Sequence, residues 1–153
     1  MGKIRVAVVA ILLITVLLIA LVIYSVPPPG ERPPRGSFTD ARQVSDTVLK
    51  YTFGYFEPEP MFTQFKLVFR INNSTLLICP IAGTDWMHSI SVYQGFVDHH
   101  IVLYDANGDG KITAGDYLTV QRSSTLEKNT TYEVGLLYPQ TGAIICSAEV
   151  HIP

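Results

Sequence analysis

The sequence predicts an all-β fold, an immunoglobulin-like antiparallel β-sandwich preceded by one N-terminal transmembrane helix. Three observations carry that expectation. An uncharged apolar run, Val6 to Val26, ends at three successive prolines. The chain beyond them breaks into short segments of alternating apolar and polar residues separated by turn residues. None of those segments has the apolar period of an amphipathic helix. With 153 residues, the chain holds one domain with a real core once the apolar run is set aside.

The run "VAVVAILLITVLLIALVIYSV" is long enough, at helical rise, to cross a hydrocarbon layer of roughly 30 Å. It exceeds the apolar stretch of a cleavable signal and lacks small residues at a cleavage site, so it reads as a retained signal-anchor. Lys3 and Arg5 precede it, which keeps the short N-terminus in the cytoplasm and places everything after Val26 outside. The expected location is the cell membrane, crossed once, with the C-terminal domain external.

Residues 1–26 are therefore expected to form a basic tip and a spanning helix, 27–46 a stalk and linker, and 47–153 the extracytoplasmic sandwich. The stalk begins "PPPGERPPRG", whose five prolines and two glycines favour extended polyproline geometry over a helix. Ser37 to Asp46 is polar and continues as linker.

Alternation then defines the strands. "LKYTFGYF" puts Leu49, Tyr51, Phe53 and Tyr55 on one face, and "FKLVFRI" does the same with Phe65, Leu67, Phe69 and Ile71. "TYEVGLLY" aligns Tyr132, Val134, Leu136 and Tyr138, while "AIICSAEVHI" sends Ile144, Cys146, Ala148, Val150 and Ile152 inward. The linking "PQTG" is turn chemistry, so these last two strands form an antiparallel hairpin. Further strands are expected over Leu76 to Cys79, Met87 to Tyr93, Val97 to Tyr104 and Tyr117 to Arg122. Such a series of short strands fits a sandwich, with a small barrel as the alternative.

The net charge of −2 and the lack of a basic patch give nucleic-acid binding no electrostatic footing. Cys79 and Cys146 are the only cysteines, and outside the cytoplasm they form a candidate disulfide, both lying in strand-like apolar segments. Asn72, Asn73 and Asn129 begin the glycosylation sequons "NNS", "NST" and "NTT". His99 and His100 are neighbours on a strand and point to opposite faces, so they do not share one ion. Asp85, Trp86 and His88 have no nucleophile motif near them, and Trp86 reads as packing. With no phosphate loop either, the chain is not expected to be an enzyme.

The densest chemistry is in "DANGDGKITAGD". Asp105, Asn107 and Asp109 occupy the first, third and fifth places of a twelve-residue loop, with Gly110 sixth, Ile112 eighth and Asp116 twelfth. This spacing converges alternate side chains on one Ca2+. Lys111, at the seventh place, offers its backbone carbonyl, and Thr113, at the ninth, holds a bridging water. A metal-free Asx turn uses the same residue types but needs fewer of them.

The loop resembles the dockerin version of the EF-hand, which also closes on aspartate. Its flanks, "HHIVLY" and "GDYLTVQR", are strand-like, so the ion is expected to sit between two strands.

Together, the apolar helix after "MGKIR", the "NGDGKITAGDY" loop and the closing "YEVGLLYPQTGAIICSAEV" hairpin resemble archaeal membrane-anchored surface proteins of the type IV pilin-like kind. The resemblance implies apolar helices packed into a filament core and β-domains coating it. Gly2 is followed at once by Lys3, and the triple proline separates helix from domain, a pattern that suits a permanently anchored monomer better than a processed subunit. The function expected is a membrane-anchored, calcium-stabilised domain in surface structure, adhesion or assembly, with self-association or a cell-surface protein as partner. The alternatives are a processed filament subunit and an accessory ligand-binding domain of a membrane complex.

Overall fold

The computed structural model describes residues 32–82, 87–94 and 97–153. The expected span from Val6 to Val26, the start of the stalk, and Asp85 with Trp86 lie outside the described residues. Among the described residues no helix is long and apolar enough to cross a membrane.

The chain from Pro33 to Pro153 forms one unit, with nine strands among its described residues. They are β1 (Arg35–Ser45), β2 (Val48–Glu57), β3 (Lys66–Ile71), β4 (Ser74–Pro80), β5 (Met87–Gln94), β6 (Val97–Tyr104), β7 (Tyr117–Arg122), β8 (Thr130–Tyr138) and β9 (Ala143–Ile152). A five-stranded sheet runs β1-β2-β7-β6-β5, and a four-stranded sheet runs β4-β3-β8-β9. All pairings are antiparallel. The expected β-sandwich is observed as two open sheets rather than a closed barrel.

The core lies between the sheets. Leu49, Tyr51, Phe53, Leu118 and Val120 from one sheet meet Leu67, Phe69, Tyr132, Val134 and Leu136 from the other. Burying such side chains contributes about 1.5–3 kcal/mol each before the entropy of ordering them is counted.

The linker expectation is corrected over Arg35–Ser45, which is strand β1. None of its residues is fully buried and most are exposed, because it is an edge strand with a broken register against β2. Phe38 nonetheless stacks on Phe53 with ring centroids 4.8 Å apart. Gly36 is obligatory there: a Cβ at that position would stand 2.2 Å from the Phe56 ring.

Registers give the unit two poles. At the near pole β1 begins, with Arg35 opposite Glu57, and β6 ends and β7 starts at the Tyr104 and Tyr117 pair. At the far pole lie the Asp46–Thr47 turn, the β3–β4 turn and the start of β8, joined by the Leu126 amide donating to the Asp46 carbonyl at 2.8 Å and the Asn72 amide to the Thr131 carbonyl at 2.9 Å.

Candidate metal site

The twelve-residue loop from Asp105 to Asp116 leaves β6 and enters β7, joining two strands as its flanks indicate. Tyr104 and Tyr117 close it from outside the sandwich, stacked at 4.6 Å, with Lys50 Nζ 4.0 Å from the Tyr117 ring centroid. Leu103 and Leu118, one step further along each strand, are buried inside.

The middle of the loop is fixed independently. Ile112 is fully buried in the core. Its amide donates to the Pro60 carbonyl at 2.8 Å, and the Phe62 amide donates to the Gly110 carbonyl at 3.1 Å, forming a bridge between Met61 and Lys111. The Phe53 amide donates to the Asp116 carbonyl at 2.8 Å, and the Gly115 amide to the Phe53 carbonyl at 3.1 Å. The loop is thereby bonded to the end of β2 and to the segment that follows it.

Within this frame the acidic side chains organise the backbone. Asp105 Oδ1 accepts from the Gly108 amide and Oδ2 from the Gly110 amide, both at 2.7 Å. Gly110 has φ +74°, the left-handed turn that the sixth place of the motif demands. Asp116 Oδ1 accepts from the Ala106 amide at 2.8 Å, while Oδ2 accepts from the Thr113 amide at 2.7 Å and the Thr113 hydroxyl at 2.9 Å. Asp109 Oδ1 accepts from the Lys111 amide at 2.8 Å, and Asn107 Oδ1 from the Asp109 amide at 3.2 Å. Asn107 Nδ2 donates to Asp109 Oδ2 at 3.2 Å and to Thr113 Oγ1 at 3.4 Å.

The Met61–Lys111 bridge also orients a carbonyl. The neighbours make its bonds, so Lys111 turns its own N–H and C=O away from Met61, and the N–H meets Asp109. The Lys111 carbonyl is thus turned to the acidic side of the loop.

Charge is the distinctive feature. Asp105 is 2% exposed and Asp116 fully buried, yet among the described residues each side chain is held by neutral N–H and O–H donors alone. The ion pairs among the described residues join Arg42 to Asp40, Arg70 to Glu133 and Arg122 to Glu127, none of them in the loop. A buried carboxylate without a counter-cation is costly. Hard oxygen donors of this type suit calcium. No three His, Cys, Asp or Glu side chains among the described residues form a ligand group as they stand. Joint coordination by Asp105, Asn107, Asp109 and Asp116 requires Asn107 to release its amide contact with Asp109 and present Oδ1 instead.

The disulfide expectation is corrected. Cys79 pairs with Leu67, Leu67 with Leu136, and Leu136 with Cys146, so the two cysteines stand at opposite edges of the four-stranded sheet. Three strand spacings separate them by roughly 14 Å, against an upper limit of about 7 Å between bridged Cα atoms. Both are free thiols. Burial raises the pKa of each, and pushes Cys146 up to about 12.

His99 is buried and packs against Phe69 and Tyr132, with ring centroids 5.5 Å and 6.2 Å away. His100 lines an outer cleft of about 270 Å³ with Gln121, Arg122 and Ser123. Sequence reasoning passed over Arg122, a buried cation held by Glu127 and the Thr125 carbonyl. Period-two alternation along "YLTVQR" would have flagged it, since it places Arg122 on the same face as Leu118 and Val120.

No known protein family matches the chain, and no curated protein does. Among solved structures the chain is similar to the archaellum periplasmic stator protein FlaG from Sulfolobus acidocaldarius. The TM-score is 0.45 at 13% identity, over 76% of this chain and 99% of that one.

Proposed function

We propose that this chain is a membrane-anchored, calcium-stabilised extracytoplasmic β-domain with a structural, adhesive or assembly role at the cell surface. The observation that carries the reading is the pair of buried carboxylates, Asp105 and Asp116, supplied with neutral donors and, among the described residues, no cationic side chain. A divalent cation provides the missing positive charge, with Asp105, Asn107, Asp109, Asp116 and the Lys111 carbonyl as protein ligands and Thr113 beside a bridging water. The ion is structural. It ties the β6–β7 loop to the end of β2, and its ligands leave no position for chemistry. The immunoglobulin-like class and the single span over Val6 to Val26 belong to the same proposal.

Thermal melts of the full-length chain in detergent, with calcium and with chelator, test it. A higher melting temperature in calcium is expected, because an ion that binds only the folded state stabilises it. Equal melts with no heat of binding would reduce the loop to a hydrogen-bonded turn. Protease added to intact cells tests the anchor and is expected to remove the domain.

A further inference from the structure

The three sequons converge in space. Asn72 and Asn73 form the two-residue β3–β4 turn between the paired residues Ile71 and Ser74, and Asn129 immediately precedes β8. All three are exposed and have positive φ, at 48°, 63° and 54°. Asparagine tolerates this left-handed geometry better than other non-glycine residues. All three lie at the far pole, opposite the one where the chain enters β1.

They differ in what their side chains do. Asn72 is clamped at two points: its amide donates to the Thr131 carbonyl, and its Oδ1 accepts from the Thr131 amide, each at 2.9 Å. Its carboxamide is thereby committed to holding the turn against β8. Asn73 is at the exposed tip of the turn, and Asn129 is exposed in the loop before β8. The hydroxyl-bearing residues two places on are Thr75 and Thr131, with Thr75 Oγ1 accepting from Arg70 Nε at 3.2 Å and Thr131 Oγ1 lying 3.1 Å from His151 Nδ1.

We infer that Asn73 and Asn129 carry N-linked glycans and that Asn72 does not. The donor is a lipid-linked oligosaccharide phosphate, presented by a membrane-bound transferase outside the cytoplasm. The carboxamide nitrogen bonds to the anomeric carbon of the first sugar, the carbon–oxygen bond to the lipid phosphate breaks, the phosphate leaves with the electron pair, and a base of the transferase takes the amide proton. Two glycans so placed shield the far pole and leave the calcium loop, at the near pole, bare. The inference rests on the external placement proposed above.

Intact-mass measurement of the full-length chain from its own membranes tests it. Because the sequons overlap, substitutions two places on separate them: Ser74→Ala abolishes only that of Asn72, Thr75→Ala only that of Asn73, and Thr131→Ala only that of Asn129. The native chain is expected to exceed its polypeptide mass by two glycans. Thr75→Ala and Thr131→Ala are each expected to lose one, Ser74→Ala none, and Thr131→Ser to keep both. One glycan or none on the native chain, or a loss in Ser74→Ala, overturns the inference. Protease accessibility on intact cells reads topology separately: an accessible domain without added mass overturns the glycan assignment alone, and a protected domain without added mass overturns both.

Discussion

The phenol of Tyr51 donates a 2.9 Å hydrogen bond across the sandwich to the backbone carbonyl of Tyr132. Tyr51 is fully buried, and burial raises its pKa, so the donor proton stays in place. Tyr51→Phe preserves the ring and removes the bond between the sheets. It is expected to cost about 1–3 kcal/mol, since an acceptor is left without its partner in the interior. Urea denaturation should show a lower midpoint at unchanged slope, which marks lost stability rather than a changed unfolded state.

Asp105→Ala and Lys111→Ala separate the calcium reading from simple loop order. Asp105→Ala should abolish the calcium-dependent rise in melting temperature. It should also lower the metal-free value, because the Gly108 and Gly110 amides lose their acceptor. Lys111→Ala keeps the backbone carbonyl and should leave the calcium response nearly intact. Differential scanning calorimetry with calcium and with chelator checks both.

The thiols should remain reduced and unreactive in the folded chain. Titration in denaturant without reductant is expected to find two free sulfhydryls per chain, and the folded protein should label slowly at pH 8, Cys146 most slowly. Folding raises the Cys146 pKa from 9.0 to about 12 and so favours the protonated thiol. That contribution is complete below about pH 9 and is lost as pH rises toward 12. Stability should fall across this window, and the fall should be shallower in Cys146→Ala.

Strand β1 should be indispensable. A chain beginning at Thr47 exposes the edge of β2 and loses the Phe38–Phe53 stack, and is expected to aggregate where a chain beginning at Pro33 folds. Gly36→Ala, forced against the Phe56 ring, should destabilise the full chain by about 1–3 kcal/mol. Circular dichroism and size-exclusion chromatography distinguish these outcomes.

Regular alternation made much of the core legible in sequence, and its failures coincide with bulges. Leu49, Tyr51 and Phe53 face inward as read, but Tyr55 is 67% exposed and Phe56 takes its place. Between the pairs Gly36–Phe56 and Phe38–Phe53, β2 carries one residue more than β1, and the extra residue reverses the faces. The same occurs in β9, where Leu136 pairs with Cys146 and Leu137 with Ile144. Ile144 is turned out, and Ile145 packs against the core instead.

The twelve-residue loop from Asp105 to Asp116 was visible because its spacing is local. The Cys79–Cys146 pairing failed because it depends on strand order: both cysteines lie on strands, and nothing in the alternation reveals that β4 and β9 occupy opposite edges. The edge strand β1 was missed because its partly buried face carries Gly36, Phe38 and Asp40, with Phe38 the one large apolar side chain among them, and leaves little hydrophobic period to read.

The registers that define the two poles also fix how the domain would bear tension. The chain enters β1 at Arg35 on the near pole, and β9 ends at Ile152 beside Thr130 on the far one. A pull applied between Arg35 and Ile152 therefore runs along the strands. The β1–β2 ladder bonds lie across that direction, so they are strained in shear and share the load together instead of unzipping one at a time.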